Sequence, residues 1–318
     1  MDITVLWRKI PISMRCVVVL LLLIAGFFSW VAPTVGTARD RAYHHVVIFG
    51  DPHLPGRDLP AKEWMLDTIN SWADVDLVIA VGDICVDYGT DAEYRAAADF
   101  FARLGKPLAA IAGNHDYFYA TPAEPGGPLA PGTKESREAK LAVFRKVFGL
   151  NEHFYVRSLG GYRLVFLSTD HDEWQLGLSE RQLAWLKAEL ANDRGTPTII
   201  AFHGPLKGTL HNYRHWINTP NAIAQPHEEI HAILRDNPQV FMWVSGHTHT
   251  PPWEDSFASA INLYDGRVTN IHNKDMNRGT IWTNSLYLYP DRVEVRTFTH
   301  ADNGWVLRLD RTIIPPVR

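Results

Sequence analysis

Six short apolar runs, rich in β-branched residues and separated by longer mixed stretches, constrain the fold of this chain more than any other feature. They are Val46–Phe49, Leu77–Val81, Leu108–Ala112, Arg163–Leu167, Thr198–Phe202 and Val240–Val244. Runs this short that do not alternate with polar residues read as strands buried on both faces, in a sheet covered by helices. Helices fit between them at Lys62–Trp72, Ala92–Leu104, Ser179–Ala191 (opened by a Ser-Glu pair) and His227–Arg235. The C-terminal third changes character. Ile281–Tyr287, Val293–Thr299 and Trp305–Leu309 alternate, and Pro-Asp and Asn-Gly turns separate them. These three are expected to form a second sheet packed on the first, within one α/β fold. Thr121–Thr133 holds four prolines and three glycines, which predicts an irregular loop. Because it follows Asn114 and His115, it is expected to border the functional site.

Five of the six runs end directly on a polar cluster. The clusters are Gly50-Asp51-Pro52-His53, Gly82-Asp83, Gly113-Asn114-His115-Asp116, His203-Gly204 and Gly246-His247-Thr248-His249. Sites in open α/β sheets form beyond the carboxyl ends of strands, which is where each cluster stands. A single Gly-Asp is ordinarily a turn, and a single His is ordinarily a satisfied polar residue. Together, however, the clusters supply carboxylates, an amide and imidazoles in the mixture a metal site requires. His247 and His249, two apart, share a face if extended.

The remaining composition excludes more than it asserts. The chain has 318 residues and a formal charge of −4. It has no basic excess to favour a nucleic-acid partner, and no motif points to a protein partner. Cys16 and Cys85 are its two cysteines, too few for a thiolate zinc site. Cys16 lies in an N-terminal apolar stretch, so no internal disulfide joins the folded part. From Cys16 to Ala38 there is no charged residue, and Arg8, Lys9 and Arg15 precede it. The stretch is about long enough for one membrane-spanning helix, which needs about 20 residues. The basic flank would stay in the cytoplasm and residues 41–318 would face outward. A cleaved signal peptide has the same layout, with Gly36 and Ala38 marking a cleavage site. Residues 1–40 are thus expected to be a signal-anchor or signal peptide, and residues 41–318 the catalytic domain.

In order and composition, the five clusters resemble the calcineurin-like metallophosphoesterases over residues 44–250. The resemblance implies two mixed β-sheets packed as a sandwich flanked by helices, in four layers αββα. It implies that Asp51, His53, Asp83 and His249 hold one divalent metal ion. Asp83 would bridge to a second ion, held also by Asn114, His203 and His247. Manganese, iron and zinc all suit such donors. Two divalent cations outweigh the two carboxylates, which suits a small phosphate-ester substrate, and a metal-bound hydroxide would be the nucleophile. The resemblance leaves His115 free of metal, to stabilise phosphoryl oxygens or protonate the leaving oxygen. Asp116 is expected either to orient that imidazole or to serve as a plain turn or helix-cap residue.

Two branches of the family fit poorly. Purple acid phosphatases carry a tyrosine where this chain has Val86. Ser/Thr protein phosphatases read Gly-Asp-x-Val-Asp-Arg-Gly where this chain has Gly82-Asp83-Ile84-Cys85-Val86-Asp87-Tyr88-Gly89. Leu178-Ser179 with Gln182, Trp185 and Leu186 is similar to a helix of the cyclic-nucleotide phosphodiesterase and acid-phosphatase branches. The expected activity is hydrolysis of a phosphate mono- or diester outside the cytoplasm. The alternatives are a non-catalytic metal-binding scaffold and a membrane-tethered adaptor. His211 and His215, with Tyr213, Trp216 and Asn218, are either pocket-lining or surface-loop residues. Cys85 is expected to be packed rather than reactive.

Overall fold

The computed structural model of the protein describes residues 41–124 and 126–316. In chain order its elements begin β1 (His44–Phe49), α1 (Leu59–Ser71), β2 (Val75–Val81), α2 (Asp91–Ala102) and β3 (Leu108–Ile111). A single helical turn α3 (Asn114–Tyr117) follows, then α4 (Lys134–Val147), β4 (Tyr155–Leu159) and β5 (Tyr162–Leu167). Next come α5 (Glu180–Asn192), β6 (Thr198–Phe202), α6 (His227–Asp236) and β7 (Val240–Ser245). The last strands are β8 (Leu263–Tyr264), β9 (Val268–His272), β10 (Trp282–Leu288), β11 (Val293–Thr299), β12 (Gly304–Trp305) and β13 (Arg311–Ile313).

These strands make two mixed sheets. The first has the order β12-β11-β10-β1-β2-β3, with β13 also paired to β11, and the second β4-β5-β6-β7-β9-β8. Side chains alternate across each strand, so β1 sends Val46 and Ile48 one way and Val47 and Phe49 the other. Val46, Ile48 and Ile79 meet Leu164, Phe166 and Val244 between the sheets. Val47 and Phe49 face a layer of Met65, Leu66, Phe100 and Phe144 from α1, α2 and α4. On the far side, Val165, Ile200 and Trp243 pack on Leu183, Leu186, Ile230 and Ile233 from α5 and α6. The result is the expected four-layer αββα sandwich.

Capping explains where two of these helices start. Thr90 accepts from the Glu93 backbone N–H while the Glu93 carboxylate accepts from the Thr90 N–H, a reciprocal cap on α2. Ser179 caps α5 by accepting from Gln182 N–H, so the Ser-Glu signal marked a true helix start.

The C-terminal strands correct one expectation. They do not build the second sheet. Instead β10 pairs antiparallel with β1, matching His44 to Leu288 and Ile48 to Asn284, and β11 follows it outward. The second sheet is built around the runs at 163–167, 198–202 and 240–244. Alternation reports which faces of a strand are covered and is silent about which neighbour it joins. Beyond Trp305 the chain turns into a short 3-10 segment, Leu307–Leu309, instead of continuing as a strand. The loop at 121–133 is irregular, as expected, with one bridge between Tyr119 and Pro131.

This topology positions the site. β1, β2 and β3 are parallel neighbours, and so are β6 and β7. Parallel neighbours end on the same edge of a sheet, so the five polar clusters leave their strands at a common edge of the sandwich.

Candidate metal centre

Each ligand candidate sits in a turn that its strand cannot continue. Asp51, His53, Asp83, His247 and His249 all have positive φ, between 29° and 61°. Such backbone costs about 1–3 kcal/mol for a non-glycine residue and clusters at functional sites. Fully burying one large aliphatic or aromatic side chain returns about 1.5–3 kcal/mol, so the three apolar layers readily hold these turns. Two glycines make room for the ligands. A Cβ at Gly82, itself at φ 92°, would lie 2.6 Å from His203 Nδ1, and one at Gly246 would collide with Asp51 Oδ1.

The side chains converge as two clusters that share one residue. Donor atoms of Asp51, His53, Asp83 and His249 all lie within 4.8 Å of one another, and so do those of Asp83, His203 and His247. In the first cluster, His249 Nε2 is 2.8 Å from Asp51 Oδ2 and 3.3 Å from His53 Nε2. In the second, His203 Nε2 is 3.2 Å from Asp83 Oδ1. Asn114 Oδ1 stands 3.1 Å from His203 Nε2 and 3.0 Å from His247 Nδ1, which adds it to this group. Only Asp83 belongs to both clusters.

The electrostatics show what the clusters lack. Burial opposes ionisation of Asp83, yet His203 foremost, with His115 and His53, holds its carboxyl well below the usual range. His203 responds in kind: burial works against its charge, but Asp83 and Asp51 push it up to about 9. Burial and the charge on His203 push His247 down to about 3, and burial holds His53 well below its ordinary value. Buried carboxylates therefore demand positive charge while two imidazoles keep their lone pairs. Asp51 Oδ1 is also buried without a hydrogen-bond partner among the described residues. This donor set fits divalent cations, which would take over the role of the His203 proton.

Neighbouring groups aim the ligands. His203 Nδ1 donates to Val81 O at 2.8 Å, which turns Nε2 toward the cluster. Asn114 Nδ2 donates to the Tyr119 hydroxyl at 3.1 Å, and that hydroxyl donates to Gln175 Oε1 at 2.6 Å. The chain of donors leaves Asn114 Oδ1 facing inward. Buried Lys62 on α1 donates to His53 O at 2.8 Å and anchors that turn. Burial first of all lowers its ammonium to about 8.

Residues 44–251 match the family model described as calcineurin-like phosphoesterase. The chain belongs to the calcineurin-like phosphoesterases. It is 28% identical over 178 residues to a protein of Synechococcus sp. named a probable cyclic nucleotide phosphodiesterase. That alignment covers 55% of this chain and 58% of the relative, so the chain spans little more than half of it. Among solved structures, a dimetal phosphatase from Danio rerio superposes with a TM-score of 0.56 at 16% identity, over 86% of this chain and 99% of that one. A purple acid phosphatase from yellow lupin gives 0.59 at 16% identity, over 86% of this chain and 54% of that one. Both likenesses concern the fold.

The chain thus combines the match to the phosphoesterase family with two groups of candidate metal ligands. Its clusters open into a cleft of about 340 Å³ whose lining includes Asp83, Asn114, His115, Tyr119, Gln175 and Trp216. Thr219, Asn221, His247, His249 and Arg278 complete it. Trp216 was one of the open candidates and lines the wall. His211 and His215 are exposed outside it, and Tyr213 bonds Thr250 Oγ1 at 3.0 Å. No described residue of Thr121–Thr133 is among those lining the cleft, and the loop meets a lining residue through the bridge from Pro131 to Tyr119. Ala120 N–H bonds Ala130 O and Gly132 N–H bonds Phe118 O, which folds the loop back on its own stem.

His115 is in the cleft as expected, but Asp116 does not orient it. His115 Nδ1 is 2.9 Å from Asp87 O, which accepts its proton and leaves Nε2 toward the site, 4.0 Å from Asp83 Oδ2. The buried Asp116 carboxylate instead accepts from the backbone N–H groups of Gly113, Ile84 and Cys85. It ties two ligand-bearing turns together. Burial and the Asp83 charge push its carboxyl up to about 7 against those bonds. Cys85 is buried and its thiol is raised by burial, as a packed cysteine should be.

Proposed function

We propose that the protein hydrolyses a phosphate ester with two divalent cations bound at the shared clusters. The observation carrying this reading is Asp83, common to a four-residue and a three-residue donor group. Asp51, His53, Asp83 and His249 would hold one cation, and Asp83, Asn114, His203 and His247 the other. When bound, such a pair polarises the phosphoryl group and lowers the pKa of water. The chain's own residues do the rest. His115, fixed by Asp87 O, presents Nε2 to hold or deliver a proton at the leaving oxygen, while Trp216 and Tyr119 wall off the ester. A diester substrate is favoured by the name of the Synechococcus relative, and manganese, iron and zinc all suit the donors. The test is metal content and turnover of aryl mono- and diesters with each metal. A protein that binds fewer than two equivalents and turns over neither ester would be a scaffold.

Gly246→Ala is expected to keep the fold but push Asp51 Oδ1 aside. Disturbing the support of a metal ligand typically costs about 10–100-fold in metal affinity. A metal titration of the variant that overlays the wild type would show that Asp51 is not a ligand.

The charge-free segment Cys16–Ala38 lies outside the described residues. Among the described residues, no helix is long and apolar enough to cross a membrane. The proposed location rests on the basic residues before that segment, which favour an outward-facing catalytic unit. Extraction only by detergent is expected for an anchor, and release by alkaline wash for a cleaved or loosely held protein. A C-terminal reporter active only in the cytoplasm would overturn the outward orientation.

A further inference from the structure

Arg278 is the only guanidinium or ammonium among the described residues lining the cleft. Its side chain is 64% exposed, and its closest approach to buried Asp275 is 4.0 Å, too far for a hydrogen bond. Its partner is instead His249, whose Nδ1 lies 3.1 Å from Arg278 Nη1. A guanidinium can only donate, so Nδ1 is the acceptor there. The ring proton is then on Nε2, 2.8 Å from Asp51 Oδ2. His249 cannot keep that tautomer and also offer Nε2 to a cation. Once Nε2 is a ligand, Nδ1 carries the proton and Arg278 loses its acceptor. Arg278 is left at the mouth of the cleft with an unused planar fork, which matches phosphate and carboxylate.

We infer that Arg278 is a specificity residue that reads a second anionic group on the substrate, away from the phosphoryl group being cleaved. The His249 ring stands between its guanidinium and the Asp51 carboxylate, so the scissile group at the clusters lies on the other side of that ring. The cleft lining also includes neutral Trp216, Thr219 and Asn221 and, among the described residues, no second guanidinium or ammonium, which leaves Arg278 as the cation that sorts substrates. The inference rests on the two-cation reading above, and the test separates the two.

Metal content of the full-length wild type is measured first and decides the two-cation reading by itself. Adenosine 5′-monophosphate and adenosine 3′,5′-bisphosphate, which differ by one remote phosphate, then compete against a 4-nitrophenyl ester. A charge-assisted hydrogen bond on a part-exposed arginine corresponds to about tenfold in affinity. Arg278→Ala is expected to weaken the bisphosphate about tenfold more than it weakens the monophosphate, and to bind metal at least as tightly as wild type. Arg278→Lys should recover part of the bisphosphate affinity. Equal weakening of both nucleotides would move Arg278 onto the scissile group, and no change in either would remove it from recognition. Looser metal binding by the alanine variant would overturn the His249 exchange.

Discussion

Asp83→Ala is expected to empty both metal positions together and to remove activity on every ester. Among the described residues Asp83 is the one side chain common to both donor groups, and with Asp51 it sustains the charge on His203 against burial. Taking it away leaves the first group with Asp51 as its sole carboxylate and the second with none. Removing one preorganised charge at a reacting centre commonly costs about 10²–10³-fold in kcat, and here the support of two cations goes at once, so the loss should be at least that large. The fold should survive, because His203 can shed its proton when its partner disappears and the apolar layers are untouched. Asp83→Asn sharpens the result. It keeps an oxygen to accept from His115 N–H, a bond of 2.9 Å in the wild type, but it forfeits the charge. It should therefore match wild-type melting more closely than alanine while still losing metal. The decisive measurement is metal stoichiometry of folded protein. One full equivalent retained in either variant would mean that Asp83 serves a single cation.

That prediction was within reach of the sequence because polar residues at a strand end have few structural reasons to recur. Asp51, His53, Asp83, Asn114, His203, His247 and His249 each follow a buried run, and the structure gathers all of them. The residues that complete the cleft carry no such mark. Tyr119 and Gln175 aim Asn114 through two hydrogen bonds, yet a tyrosine five residues past a motif and a lone glutamine are unremarkable in a sequence. Arg278 reaches the site because the 272–280 segment returns beside β1, where Met276 N–H bonds Asp51 O at 3.1 Å. That return follows from β10 pairing with β1, a long-range choice with no local signature. The same choice sent the C-terminal hairpin into the first sheet. For Asp116 the helix-cap alternative is the one observed: successive residues of a helical turn point apart, so its carboxylate meets the backbone N–H groups of Gly113, Ile84 and Cys85 instead of the His115 ring.

Neither donor group among the described residues includes His115, so we propose that it acts without holding a metal, and the consequences differ between substrates. Its ring is pinned through Nδ1 to Asp87 O, so Nε2 is the nitrogen free to meet the ester. Its backbone N–H, not its ring, supports Asp83, so alanine at this position preserves that bond and both cations should remain. What disappears is the Nε2 that would carry a proton to the departing oxygen. General acid catalysis typically contributes about 10²–10⁴-fold, and its value depends on how badly the departing oxygen needs a proton. An alkoxide leaves poorly, whereas a nitrophenolate leaves readily without help. His115→Ala is therefore expected to lose about 10²–10⁴-fold on alkyl phosphate esters and no more than about tenfold on nitrophenyl esters, with metal content unchanged. An equal loss on both classes would assign His115 to holding the phosphoryl oxygens alone. A fall in bound metal would make it a ligand, and the separation between the two clusters and the acid would have to be redrawn.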